Sequence, residues 1–153
     1  MRLFQTTRSK IILFLSAGLA ATFWFSLPSP LFRTPTSTVI DDSGGRLLSA
    51  VLASDEQWRF PAPDTVAGKF RQSIIYFEDE YFYWHPGINP VSMLRAAWQN
   101  ISDRSIVSGG STLSMQVIRL SRPPSSRGVL TKLKEMILAL RLELSYSKNE
   151  ILT

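Results

Sequence analysis

An uncharged stretch from Ile11 to Phe32, IILFLSAGLAATFWFSLPSPLF, follows a head that carries Arg2, Arg8 and Lys10 and no acid. No other feature narrows the possible folds as much, because so long an apolar run seeks either lipid or the centre of a core. The basic flank and the terminal position predict a membrane anchor over 11–32, with 1–10 as a cytoplasmic tail and the rest of the chain beyond the membrane. A cleaved signal peptide would have a shorter apolar core ended by small residues. Here Thr22-Phe-Trp-Phe25 continues the run past Ala20-Ala21.

Charge and cysteine content limit the chemistry. Seventeen Lys+Arg stand against twelve Asp+Glu, a net charge of +5, which favours an anionic partner. Nucleic acid is set aside, because the anchor places these residues outside the cytoplasm. With no cysteine and one histidine, His85, disulfides, thiolate zinc sites and multi-histidine sites are excluded. A divalent ion would need oxygen ligands.

After the anchor, residues 33–63 read as a linker and a small β segment: Thr38-Val-Ile40 and Arg46-Leu-Leu48 flank Asp-Asp-Ser-Gly-Gly, a hairpin signature. From residue 64 to 153 the pattern is helical. Asp64 is placed to cap a helix whose apolar positions are Val66, Phe70, Ile74 and Phe77. A second helix starts at Asn89-Pro90 and is expected to bury Val91, Leu94, Trp98 and Ile101. A third runs from near Ser111 to Leu120, and a fourth spans roughly Val129 to Tyr146.

Several residues have the character of site groups. Glu78 falls at the margin of the first stripe, where a partly desolvated carboxylate suits proton transfer; on position alone, an exposed acid in Glu78-Asp79-Glu80 is the plainer reading. The aromatic run Phe82-Tyr-Trp84 reads as core, and His85 as a hydrogen-bonded residue ordering Pro86-Gly87. Gly109-Gly110-Ser111-Thr112 opens a helix, which offers free N–H groups and a positive dipole end to an anion. Thr112, Gln116 and Arg119 share one face of that helix at i, i+4 and i+7. Glu135 sits on a helix that is apolar nearly all round, so it needs a partner: Lys132, another base or a bound ion.

The order of these groups carries a resemblance. Glu78-Asp-Glu-Tyr-Phe-Tyr-Trp-His85-Pro-Gly87 resembles the first motif of the peptidoglycan glycosyltransferase family, glycosyltransferase family 51. Gly109-Gly-Ser-Thr-Leu-Ser-Met-Gln116 resembles the second, Lys132-Leu-Lys-Glu135 the third, and Leu144-Ser-Tyr-Ser-Lys-Asn-Glu-Ile-Leu152 the fourth, whose pattern Lys-x-Glu-Ile-Leu begins at Lys148. Met115 and the Trp-His-Pro-Gly-Ile-Asn-Pro run look most like the penicillin-binding protein 1C subgroup among the bifunctional members. The resemblance implies a mainly α, lysozyme-like glycosyltransferase domain behind a single-pass anchor in the bacterial inner membrane, with the catalytic part periplasmic. It implies polymerisation of lipid II onto a glycan strand carried by undecaprenyl diphosphate, with inversion and release of undecaprenyl diphosphate. Other cell-wall synthesis proteins are the implied partners.

By the same resemblance Glu78 is the general base, and Glu135 helps manage the leaving diphosphate, directly or through a divalent ion such as Mg or Mn. No cofactor is required by the sequence itself. Asp79, Phe82, His85, Gly109, Gly110, Ser111, Thr112, Gln116, Arg119, Arg127 and Lys132 match positions that line the family's substrate site. Thr131 departs from the third motif, where the family has Arg; Ser114 and Met115 depart from the second, at positions expected to face the core. The family continues past the fourth motif with further helices, so residues 64–153 read as the N-terminal part of the domain. The alternative reading is a truncated, non-catalytic, membrane-tethered remnant that binds lipid-linked precursor or a partner.

Overall fold

A computed structural model describes residues 2–33, 35–60, 65–122 and 128–153, apart from the side chains of residues 2–6. The chain is mainly helical, with one two-stranded antiparallel sheet. Helix α1 (Arg2–Trp24) comes first, and β1 (Thr38–Asp41) and β2 (Leu47–Val51) form the hairpin. Helix α2 (Gly68–Glu78) leads into a 3-10 turn, Phe82–Trp84. Helices α3 (Pro90–Ser102), α4 (Leu113–Leu120), α5 (Val129–Glu143) and α6 (Lys148–Leu152) follow.

The core lies where α4 crosses α5. Phe82, Met115, Ile118 and Leu142 are almost fully buried there, joined by Leu113, Leu138, Ala139 and Ile151. Each large side chain removed from water in this way contributes about 1.5–3 kcal/mol. Ser114 and Met115 are both fully buried, as their helix positions suggest. Two glycines let the layers close. A Cβ on Gly110 would come within 2.6 Å of the Met93 Cα on α3. One on Gly87, whose φ is +100°, would lie 2.6 Å from the Ala139 carbonyl oxygen on α5. No side chain fits at either point.

The hairpin forms where the sequence predicts. Asp42 Oδ1 accepts the N–H groups of Gly44 and Arg46, both at 2.8 Å, and Gly45 takes φ +76°. Its apolar residues Ile40, Leu47, Leu48 and Val51 remain exposed, so it contributes nothing to the core. Asp64 lies outside the described residues, and α2 begins instead after Ala67, with no side-chain cap.

Three expectations change. Among the described residues no helix is long and apolar enough to cross a membrane, so the span at 11–32 is not borne out. The sequence run continues to Phe32, but the helix stops at Trp24. Its uncharged part is about 14 residues, or roughly 21 Å at the helical rise, against a hydrocarbon thickness of ~30 Å. The chain then turns back: Leu27 and Leu31 pack on the core, and Arg141 of α5 donates to the Trp24 carbonyl at 2.9 Å with its guanidinium over the Trp24 ring.

Second, α3 does not bury Val91, Leu94, Trp98 and Ile101, all of which are more than 70% exposed. It packs instead through its other side, where Ala96 is buried and Met93 meets Gly110. Third, the α2 stripe is only half covered: Ile74 reaches the core, while Phe70 and Phe77 are exposed. Likewise α5 buries one face, with Leu133 and Ile137 in solvent.

Helix α6 is held by a capping box: the Ser147 hydroxyl oxygen accepts the Glu150 N–H, and the Glu150 carboxylate accepts the Ser147 N–H. The Ser147 hydroxyl, and then its backbone N–H, hold the Glu150 carboxyl below its ordinary value. A depressed carboxyl stabilises the fold above its unfolded value of ~4.3 and loses that contribution as pH falls through the folded value. Thermal unfolding should therefore show wild type melting above Glu150→Gln at pH 7, with the gap closing below about pH 4. A gap that widens in acid would overturn the assignment.

Candidate active site

Adjacent residues leaving a helix point to different sides, and the end of α2 uses this. Asp79 turns inward and is 7% exposed, while Glu78 remains exposed. Both Asp79 oxygens lie 2.9 Å from His85 Nε2, and Oδ2 also accepts the Leu113 N–H at 3.0 Å. His85 Nδ1 accepts the Gly87 N–H at 3.2 Å, which assigns the ring proton to Nε2. Thr112 completes the knot. Its hydroxyl donates to the Gly87 carbonyl at 2.6 Å and accepts the Met115 N–H at 3.2 Å.

This knot alters the reading of the α4 N-terminus. The anion that takes the first N–H of α4 is the chain's own Asp79 carboxylate, which also satisfies the positive end of the helix dipole. Gly110 and Thr112 are buried, whereas Gly109 is exposed and Ser111 half-buried. Phe82 is fully buried, and His85 nearly so. Asp79, Phe82, His85 and Thr112 thus make their contacts inside the protein.

The rest of the α4 polar face reaches outward. Gln116 Nε2 donates to Glu78 Oε2 at 2.8 Å, which brings the first and second motifs together at the surface. Arg119 grips Glu135 of α5 side-on, Nε to Oε1 at 2.9 Å and Nη2 to Oε2 at 2.8 Å, and its Nη2 lies 3.4 Å from Ser111 Oγ. The bond to Glu135 raises the Arg119 pKa above its ordinary value. The partner that buried Glu135 requires is therefore Arg119, one of the three alternatives open in the sequence. Lys132 stands apart, lining a cavity of about 300 Å³ between α3 and α5 with Met93, Asn100, Val129 and Met136. Arg127 lies outside the described residues.

A divalent ion does not fit this donor set. Among the described residues no three acids or histidines are grouped to hold one, and both oxygens of Glu135 face the Arg119 guanidinium. A hard cation takes several oxygen ligands.

Sequence reasoning missed a second, half-buried network. Lys148 Nζ donates to the His85 carbonyl at 2.7 Å and to Glu143 at 2.6 Å, and lies 4.3 Å from the Phe82 ring centroid. Ser114 Oγ also donates to Glu143. Lys148 begins the fourth motif's pattern, which was its signal. Glu143 had none, because its role depends on α5 and α6 meeting. Asn100 was missed as well: its amide accepts the Val107 and Ser108 N–H groups and donates to the Ser108 carbonyl, fixing the loop before Gly109.

Residues 44–153 match the Transglycosylase family. The chain is 40% identical over 144 residues, 93% of its length, to penicillin-binding protein 1C of Escherichia coli, and spans 18% of that protein. It is 39% identical over 94 residues, 61% of its length, to a monofunctional glycosyltransferase of Staphylococcus aureus, and spans 35% of that one. With penicillin-binding protein 1A/1B of Bacillus subtilis the identity is 34% over 83% of the chain and 14% of the relative.

Asp79→Ala would leave the buried His85 Nε2–H and Leu113 N–H without acceptors, at about 1–3 kcal/mol each. Denaturant unfolding should show a loss of about 2–6 kcal/mol, and a change under 1 kcal/mol would count against the knot.

Proposed function

Because the chain belongs to the transglycosylase family, we propose that it forms part of a peptidoglycan glycosyltransferase that extends a glycan strand with lipid II. The observation that carries this reading is the Glu78–Gln116 hydrogen bond. It ties the exposed motif-one acid to the same helix face that holds Arg119, so a proton acceptor and a cation stand along one seam.

In the proposed reaction the acceptor 4-hydroxyl oxygen attacks the anomeric carbon of the donor from the face opposite the leaving group. The new C–O bond forms as the bond to the diphosphate oxygen breaks, which inverts the centre. The hydroxyl proton passes to Glu78, whose Oε2 is already held by Gln116 and whose Oε1 is not part of that bond. Charge that builds on the leaving undecaprenyl diphosphate meets the Arg119 guanidinium and the Ser111 hydroxyl beside it. Lys132, which lines the cavity between α3 and α5, stands outside this seam.

The lipid-linked substrate requires the domain at a bilayer surface. Ile11–Phe14, Leu15 and Leu19 of α1 are exposed behind Arg8 and Lys10. We assign them to insertion into the interfacial region, where an apolar surface and a basic flank are both satisfied. Deletion of residues 2–24 should reduce co-sedimentation with anionic phospholipid vesicles at least several-fold; unchanged sedimentation would overturn the assignment.

In the intact protein, Glu78→Gln should lower lipid II polymerisation by about 10²–10⁴-fold, the usual worth of a general base. Gln116→Ala should lower it by a smaller factor, because it removes only the group that orients the base. Near-normal polymerisation by Glu78→Gln would sink the assignment of the base.

A further inference from the structure

The second glutamate has a different task from the one the family pattern suggests. Glu135 is 10% exposed at its side chain, and the two oxygens it presents are both bonded to Arg119, at 2.9 and 2.8 Å. No group of acids or histidines suited to an ion surrounds it among the described residues. Arg119 is 45% exposed at its side chain, so the pair has a buried anchor and an open head. The side-on grip uses Nε and Nη2. That fixes the plane of the guanidinium and leaves Nη1 outside the contact with Glu135.

We propose that Glu135 is a positioning residue that holds Arg119 in register to receive a diphosphate oxygen, without an intervening metal ion. This rests on the glycosyltransferase reading for the identity of the anion. Simple electrostatics gives the proposal a distinctive sign. A carboxylate near an anion site repels the anion, so removing its charge should tighten binding if proximity is all that matters. If Glu135 instead orients the guanidinium, removing its charge releases Arg119 to solvent and binding weakens. Lysine at 119 would keep the charge but lose the two-pronged grip, because an ammonium group has no planar fork.

The test is titration of inorganic diphosphate into the intact protein by calorimetry, with EDTA and again with Mg²⁺. Wild type, Glu135→Gln, Arg119→Gln and the double variant are compared. Glu135→Gln and Arg119→Gln should each weaken diphosphate binding about 10-fold, as loss of a charge-assisted hydrogen bond would. The double variant should bind no more than about 3-fold more weakly than the worse single one, and Arg119→Lys should resemble Arg119→Gln. Tighter or unchanged binding in Glu135→Gln overturns the proposal. So does a Glu135→Gln effect that persists at full size without Arg119, or one that needs Mg²⁺. Should Glu135→Gln fail to fold, Glu135→Asp keeps the charge but shortens the arm, and the same weakening is expected. Lipid II polymerisation by wild type is assayed alongside. Its absence would remove the glycosyltransferase reading while the diphosphate cycle still decides whether Glu135 acts through Arg119.

Discussion

Everything in the site hangs from the Asp79 carboxylate. It is a buried anion bonded by the His85 ring and the first N–H of α4, and each of those partners fixes something else. His85 orders Gly87, Gly87 rests on α5, and α4 carries Gln116 and Arg119 out to the surface. A buried carboxylate so held is strongly directional, since either hydrogen bond left unmade would cost more than a neutral one. The segment from Glu78 to Gly87 is short and largely irregular. It acquires one conformation because this charge has one place where both partners can reach it.

Around that knot the layers approach as closely as backbone allows. Gly110 against Met93 and Gly87 against Ala139 are contacts that any Cβ would break, and Lys148 ties the His85 carbonyl to Glu143 from behind. The result separates two kinds of motif residue. Asp79, Phe82, His85 and Thr112 keep the frame, whereas Glu78, Gln116, Ser111 and Arg119 present hydrogen-bonding groups at or near its surface. The motif strings carry both kinds side by side, and nothing in the letters separates them.

The misread elements share a cause. Apolar periodicity tells which side of a helix is apolar, but not whether anything lies against it. In α3 the stripe Val91, Leu94, Trp98 and Ile101 faces out, and the contact that seats the helix is made by Met93 and Ala96. In α1 the apolar run outlasts the helix by eight residues or so, a length in which Pro28 and Pro30 interrupt helical geometry. Counting letters gave a span that the backbone does not form.

What the sequence by itself determined was chemical and local: the hairpin at Asp42-Ser-Gly-Gly45, the helix start at Asn89-Pro90, the inward Ser114 and Met115, and a glutamate at 135 that must have a partner. Spacing within one helix settles such matters, because the i, i+3 and i+4 geometry is the same in every protein. The tertiary structure alone decided which partner: Arg119 for Glu135 across 16 residues, Gln116 for Glu78 across 38, and Asp79 for the N–H of Leu113 across 34. Those pairings depend on how α4 crosses α5 and on glycines thin enough to let them meet. Helix crossing is set by the summed packing of many side chains, and no single residue in the chain announces it.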